Sequence, residues 1–190
     1  MDLKTLVYNT RSYRRFDESF RIDTKILEGL VDLARMSASA ANRQPLKYLI
    51  YNAPDDCERI FPSLAWAAYL KDWQGPAIGE RPSAYIIILG DKSITDSFNA
   101  DPGISAQTIM LGATEAGLGG CMIASVKRDA LRSELKIPEK YDIILVLAVG
   151  KPAETVVVED IRNNDVKYWR DVNGVHHVPK RTLDELILKL

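Results

Sequence analysis

Residues 85–89, Tyr-Ile-Ile-Ile-Leu, and residues 143–149, Ile-Ile-Leu-Val-Leu-Ala-Val, are apolar at every position. A strand wet on one face alternates with period two, whereas an uninterrupted apolar run marks a buried central strand. Between the runs, Ala106, Ile109, Met110 and Ala113 share one helical stripe, which predicts a helix from about Pro102 to Ala116. Pro102 suits its first turn and Gly117 its end. Helices alternating with buried strands imply an α/β or α+β sandwich.

Working outward, Gly120 to Ala124 reads as a short strand and Val126 to Leu135 as a helix capped by Ser125. Upstream, Leu3, Leu6 and Val7 suggest a short helix. Ile26, Leu27, Leu30, Val31 and Ala34 suggest a second, starting near Asp23 or Thr24. A small-residue loop, Ser37 to Asn42, leads to a strand over Lys47 to Tyr51 and a short helix carrying Cys57 to Ile60. Residues 62–82 are punctuated by Pro62, Pro76 and Pro82 and read as an irregular insertion. Downstream, the tail runs through residues 174–178 to Pro179-Lys180-Arg181 and an amphipathic finish.

The 190 residues suit one domain, with an extension over residues 160–190. A formal net charge of −1 gives no global attraction for nucleic acid or anionic membrane. No apolar run reaches the roughly 18–20 residues that span a bilayer, and no signal peptide is visible. Two cysteines, Cys57 and Cys121, without a Cys-x-x-Cys spacing, suggest a reduced, cytoplasmic protein.

Any anion site must therefore be local. Arg11-Ser12-Tyr13-Arg14-Arg15-Phe16 is the densest cluster, and guanidinium groups with a hydroxyl suit phosphate; a solvated basic patch after a helix is the plainer alternative. Pro179-Lys180-Arg181 is a second basic pair. In Ser37-Ala38-Ser39-Ala40-Ala41-Asn42-Arg43-Gln44-Pro45, small residues allow a flat ligand near the backbone. Asn42 and Gln44 supply amide donors and acceptors there; a polar loop entering a strand, with Asn42 capping backbone groups, is the alternative. Trp66, Tyr69 and Trp73 fall at i, i+3 and i+7, an aromatic helical face suited either to a substrate lid or to packing. If residues 174–178 form a strand, His176 and His177 point to opposite faces, so no metal site is assigned. Cys121 has no base partner and reads as a small buried hydrophobe.

In this order, Arg-Ser-x-Arg-Arg-Phe, Ser-Ala-x-Asn-x-Gln-Pro, Gly117-Leu118-Gly119-Gly120-Cys121 and the closing Pro-Lys-Arg resemble the nitroreductase family over residues 11–181. The resemblance implies an α+β (α/β sandwich) fold, a mixed central sheet flanked by helices, with FMN bound at a homodimer interface. It implies that Arg11, Ser12 and Arg14 hold the FMN phosphate, helped by Lys180 and Arg181. Ser39, Asn42 and Gln44 would contact the flavin, often from the other subunit, and Met122, Ile123 and Ala124 would run along its ring with a backbone N–H near N5. It also implies a ping-pong cycle, with NAD(P)H as a transient reductant and a small nitro compound, quinone or similar acceptor. No general acid or base is nominated. Two departures stand out: Thr10 occupies a position that is often arginine, and an Asn and Lys pair of some members has no clear match near Trp66 to Gln74. Other flavin chemistry on the scaffold, such as reductive dehalogenation or flavin-consuming reactions, and a non-catalytic flavin-binding dimer remain open alternatives.

Overall fold

The structure is a computed structural model and describes residues 1–189. Its elements are α1 (Leu3–Asn9), β1 (Phe16–Asp17), α2 (Thr24–Arg35), β2 (Leu46–Tyr51), α3 (Pro54–Ile60), β3 (Ala84–Asp91) and α4 (Asp101–Glu115). These are followed by β4 (Gly119–Ile123), α5 (Arg128–Leu135), β5 (Tyr141–Pro152), β6 (Val156–Asp160), β7 (Trp169–Arg170), β8 (His176–Lys180) and α6 (Leu183–Leu186). The two apolar runs became neighbours: β3 and β5 pair antiparallel from Ala84 opposite Val149 to Asp91 opposite Tyr141. The partner of Ile88 is Leu145 and that of Leu89 is Ile143, so a bulge leaves Ile144 unpaired. β2 lies beside β3, while β4 and β1 pair with successive stretches of β5. These ladders are all antiparallel, and an isolated parallel bridge joins Ser12 to Gly120. A second sheet, in the order β6-β8-β7, is built from the last third of the chain.

All eight residues of β3 are buried, and their period-two alternation separates two cores. Ala84, Ile86 and Ile88 face Leu27, Leu30 and Ala34 of α2 and Ala106, Ile109 and Met110 of α4. Tyr85, Ile87 and Leu89 face Cys57 and Ile60 of α3, Leu131 of α5, and Trp66. The bulge puts Ile143 on the same side as Val146 and Ala148, which keeps this second core continuous. The α+β sandwich is thus observed, with a helix pair on each face.

Local signals explain where the helices stop and start. Asp23 caps α2 through the Lys25 N–H at 2.8 Å. After α4, Gly117 adopts φ +71°, its N–H donates to Thr114 O, and the Leu118 N–H donates to Ala113 O. This double closure needs a left-handed residue at Gly117.

Two local expectations are corrected. α5 begins at Arg128, not Val126, and Ser125 does not cap it. Instead Val126 bridges Leu64, and the Ala65 N–H donates to Ser125 O, so tertiary pairing takes those residues from the helix. Residues 64–82 form turns and bends, so Trp66, Tyr69 and Trp73 share no helical face. A left-handed Ala67 (φ +41°) and the prolines beyond it oppose helix propagation. The strand condition set for the histidine pair is met by β8, which runs from His176 to Lys180. Among the described residues, no helix is long and apolar enough to cross a membrane.

Ile87 is fully buried between the sheet and α3, and its replacement opens a cavity in a closely packed layer. Ile87→Ala is expected to lose about 2–5 kcal/mol of unfolding free energy, measured by denaturant titration at constant slope.

Candidate functional site

β4 is paired along one side by β5. On its other side Ser12 bridges Gly120, and the Tyr13 N–H donates to Gly120 O at 2.9 Å. Backbone groups alternate in direction along an extended strand, so Met122 turns its N–H and C=O toward the same open edge as Gly120. Met122, Ile123 and Ala124 form one wall of a cleft of about 310 Å³, which Arg14, Trp66 and Tyr168 also line. Ile123 is anchored in the core, whereas Met122 is about one-third exposed. The segment Met122–Ala124 therefore runs along this cleft.

Arg14 is held at this cleft from several directions. Its Nη1 donates to Ser12 O (3.3 Å) and to His176 Nε2 (3.1 Å), while its guanidinium lies 4.8 Å from the Tyr168 ring centroid. The backbone N–H groups of Arg14 and Arg15 both donate to Glu154 Oε1. Glu154 is nearly fully buried, and its other oxygen accepts from Arg170 Nη2 at 2.8 Å. A buried carboxylate persists when its charge and lone pairs are satisfied, and this one is spent on fixing the arginine loop.

His176 is fully buried, and accepting from Arg14 requires its neutral form. Burial, followed by the charges of Arg14 and Arg170, lowers its pKa from 6.5 to about 4. His177 points the other way, stacked on Trp169 with ring centroids 4.1 Å apart. The opposite orientations match the strand reading of this pair.

The remaining basic residues do not join this cluster. Arg11 turns its Nη2 back to Val7 O (2.7 Å) at the carboxyl end of α1. Lys180 ends β8 opposite Asp160, and Arg181 contacts Asn164 and Glu185 in its own tail. Neither lines the cleft beside Arg14. Thr10 packs α1 on α4 through its hydroxyl, 3.0 Å from Thr114 Oγ1. Of the three aromatics, Trp66 lines the cleft, Tyr69 meets the Tyr168 ring at 4.9 Å, and Trp73 lies under Arg170.

The Ser39–Gln44 loop lies elsewhere. Ser39 and Gln44 line a cleft of about 260 Å³ with Ala34, Tyr48, Asp101 and Ser105, on the α2 and α4 side of the sheet. Asn42 and Gln44 are exposed, both left-handed, and joined by a bond from Gln44 Nε2 to Asn42 Oδ1 (3.1 Å). The cleft beside β4 carries Trp66, Cys121 and Ile123, members of the other core. One chain thus carries Arg14 with Met122–Ala124, and Ser39 with Gln44, as two groups on opposite faces of its sheet, while Arg11, Lys180 and Arg181 belong to neither.

The sequence model of the nitroreductase family matches residues 7–151. The chain belongs to the nitroreductase family. Solved structures agree on the fold. A nitroreductase family protein from Clostridium difficile 630 superposes with a TM-score of 0.65 at 23% identity, over 81% of this chain and 86% of that one. An FMN-dependent nitroreductase from Clostridium difficile R20291 gives 0.66 at 20% identity, over 85% and 92%. A gut-bacterial enone reductase of fatty acid saturation gives 0.68 at 16% identity, over 86% and 94%. Family membership supports flavin-dependent oxidoreductase chemistry in general.

In this nitroreductase-family chain, Glu154, Tyr168, His176 and Asp101 escaped sequence reasoning as site residues. An isolated acid after a strand, or at a helix start, carries no local mark of its distant partner. Since unfolded histidine titrates near 6.5 and folded His176 near 4, the unfolded chain binds more protons between these values. His176 therefore contributes stability that is full above about pH 6.5 and declines as pH falls toward about 4. The urea midpoint is expected to fall between pH 7 and pH 5, and His176→Gln to flatten that fall.

Proposed function

We propose that the chain is an FMN-dependent oxidoreductase that passes electrons from NAD(P)H to a small electron-poor acceptor, such as a nitro compound or quinone, by a ping-pong cycle. In this reading it acts as a cytoplasmic homodimer, with one domain over residues 1–190, a lid over residues 62–82 and an extension over residues 160–190. The observation that carries the reading is the division of the site. The open β4 edge with Arg14 lies on one face of the sheet, and the Ser39–Gln44 loop lies on the other. A second copy, bringing its loop to the first copy's β4 cleft, would bring together both groups. The buried, unpaired Cys57 and Cys121 accord with a reducing compartment.

The β4 cleft fits a flavin in three respects. Its wall has a free backbone edge, its cation has donors beyond those given to Ser12 and His176, and the buried Trp66 Nε1 has no partner. Arg11, Ser12 and Arg14 would hold the phosphate, with Lys180 and Arg181 adding positive charge. The Met122–Ala124 backbone would lie along the ring and offer an N–H, while Ser39, Asn42 and Gln44 would contact it from the partner copy. Bound FMN would supply two-electron transfer at N5. The chain's part is to orient the ring, exclude water with Trp66 and Tyr168, and leave one ring face open to reductant and acceptor in turn. Tyr69 and Trp73 would shape the acceptor side through Tyr168 and Arg170.

Purified protein incubated with FMN is expected to retain a flavin absorbance that NADH or NADPH bleaches and a nitroaromatic or quinone restores. Retained flavin that no reductant bleaches would favour a binding role over an enzyme. Arg14→Ala is expected to weaken FMN binding about 10- to 100-fold, as loss of a charge-assisted contact implies. Equal affinity of variant and parent in a fluorescence titration would remove Arg14 from the phosphate site.

A further inference from the structure

The loop opposite the β4 cleft is held by a residue that no motif marks. Asp101 sits in the first turn of α4 and is only 5% exposed. Its Oδ2 accepts the Ser39 hydroxyl at 2.6 Å, and its Oδ1 accepts the Ala40 N–H at 3.0 Å. Ser39 Oγ in turn accepts the Gln44 N–H at 2.9 Å. One carboxylate therefore binds the start of the loop directly and its end through Ser39.

The loop needs such an anchor. Ala41, Asn42 and Gln44 all have φ between 51° and 54°, a conformation that costs non-glycine residues energy and persists only when the surroundings enforce it. Asp101 belongs to a 15-residue helix packed on α2 and the sheet, so the anchor is rigid. The same contacts also decide the polarity of Ser39. Its hydrogen is committed to Asp101 and one lone pair to Gln44, which leaves a lone pair for the adjoining cleft. Ser39 can then accept from a ligand N–H or O–H but not donate to it.

We propose that Asp101 is a positioning residue for the cofactor: it holds the Ser39–Gln44 loop in its strained form and presents Ser39 as a hydrogen-bond acceptor. The inference rests on reading that loop as a flavin contact, and it adds the part of the chain that orders it. Asp101→Asn preserves shape but puts an amide where a carboxylate accepted the Ser39 hydroxyl, so Ser39 loses its fixed direction.

The test uses the full chain in two measurements. Backbone hydrogen exchange in FMN-free protein reads the Ala40 and Gln44 amides, and fluorescence titration reads FMN affinity for Asp101→Asn, Ser39→Ala and the double variant. Expected are at least about tenfold faster exchange at both amides in Asp101→Asn and about tenfold weaker FMN binding in each single variant. The double variant should bind about as weakly as either single one, because both changes break one unit. Exchange and affinity within twofold of the parent in Asp101→Asn, with Ser39→Ala still weakened, would overturn the proposal and leave the flavin-loop reading intact. Fully additive losses would also overturn it, since Asp101 would then act by general stability. If Ser39→Ala and Gln44→Ala both bind FMN normally while Arg14→Ala does not, the flavin-loop reading itself fails and removes the proposal's premise.

Discussion

A sheet whose central strands are apolar on both faces must be covered on both faces, and the rest of the molecule follows from that requirement. β3 has no polar face to offer water, so α2 and α4 close one side while α3, α5 and Trp66 close the other. The bulge at Ile144 is part of the same solution, because without it Ile143 and Val146 would belong to different cores. Two cores leave two rims. The clefts by β4 and by the Ser39 loop each belong to one of them.

Beside each rim a buried carboxylate ties down a loop. Glu154 takes two backbone N–H groups from the arginine loop and a guanidinium from Arg170. Asp101 takes a hydroxyl and a backbone N–H from the serine loop. Charges in such places are costly when unpaired, so both loops are tied to positions where the acids are satisfied. Hydrogen bonds that hold a loop before a ligand arrives lower the ordering cost of binding.

Legibility in the sequence varied with the range of the cause. The stripe Ala106, Ile109, Met110, Ala113 and the stop at Gly117 were readable because helix periodicity and a left-handed cap act within a few residues. The aromatic spacing of Trp66, Tyr69 and Trp73 misled for the complementary reason: spacing is a helix signal only when the backbone between is helical, and here Ala67 is left-handed. Ser125 has the chemistry of a cap, but Leu64 competed for its neighbour Val126 and won. Arg14 was visible as a phosphate candidate, whereas Tyr168 and His176, which orient it, had no local signature.

By itself the sequence determined the sandwich, the place of the helices around it, and the motifs that identify the nitroreductase family, since apolar periodicity and ordered short motifs are local properties of the chain. Only the tertiary structure decided that Arg14 meets a carboxylate 140 residues away, that Ser39 meets one 62 residues away, and that the two groups occupy opposite faces. Such meetings depend on how buried strands and helices stack, and a polar residue carries no record of the partner that packing will bring to it.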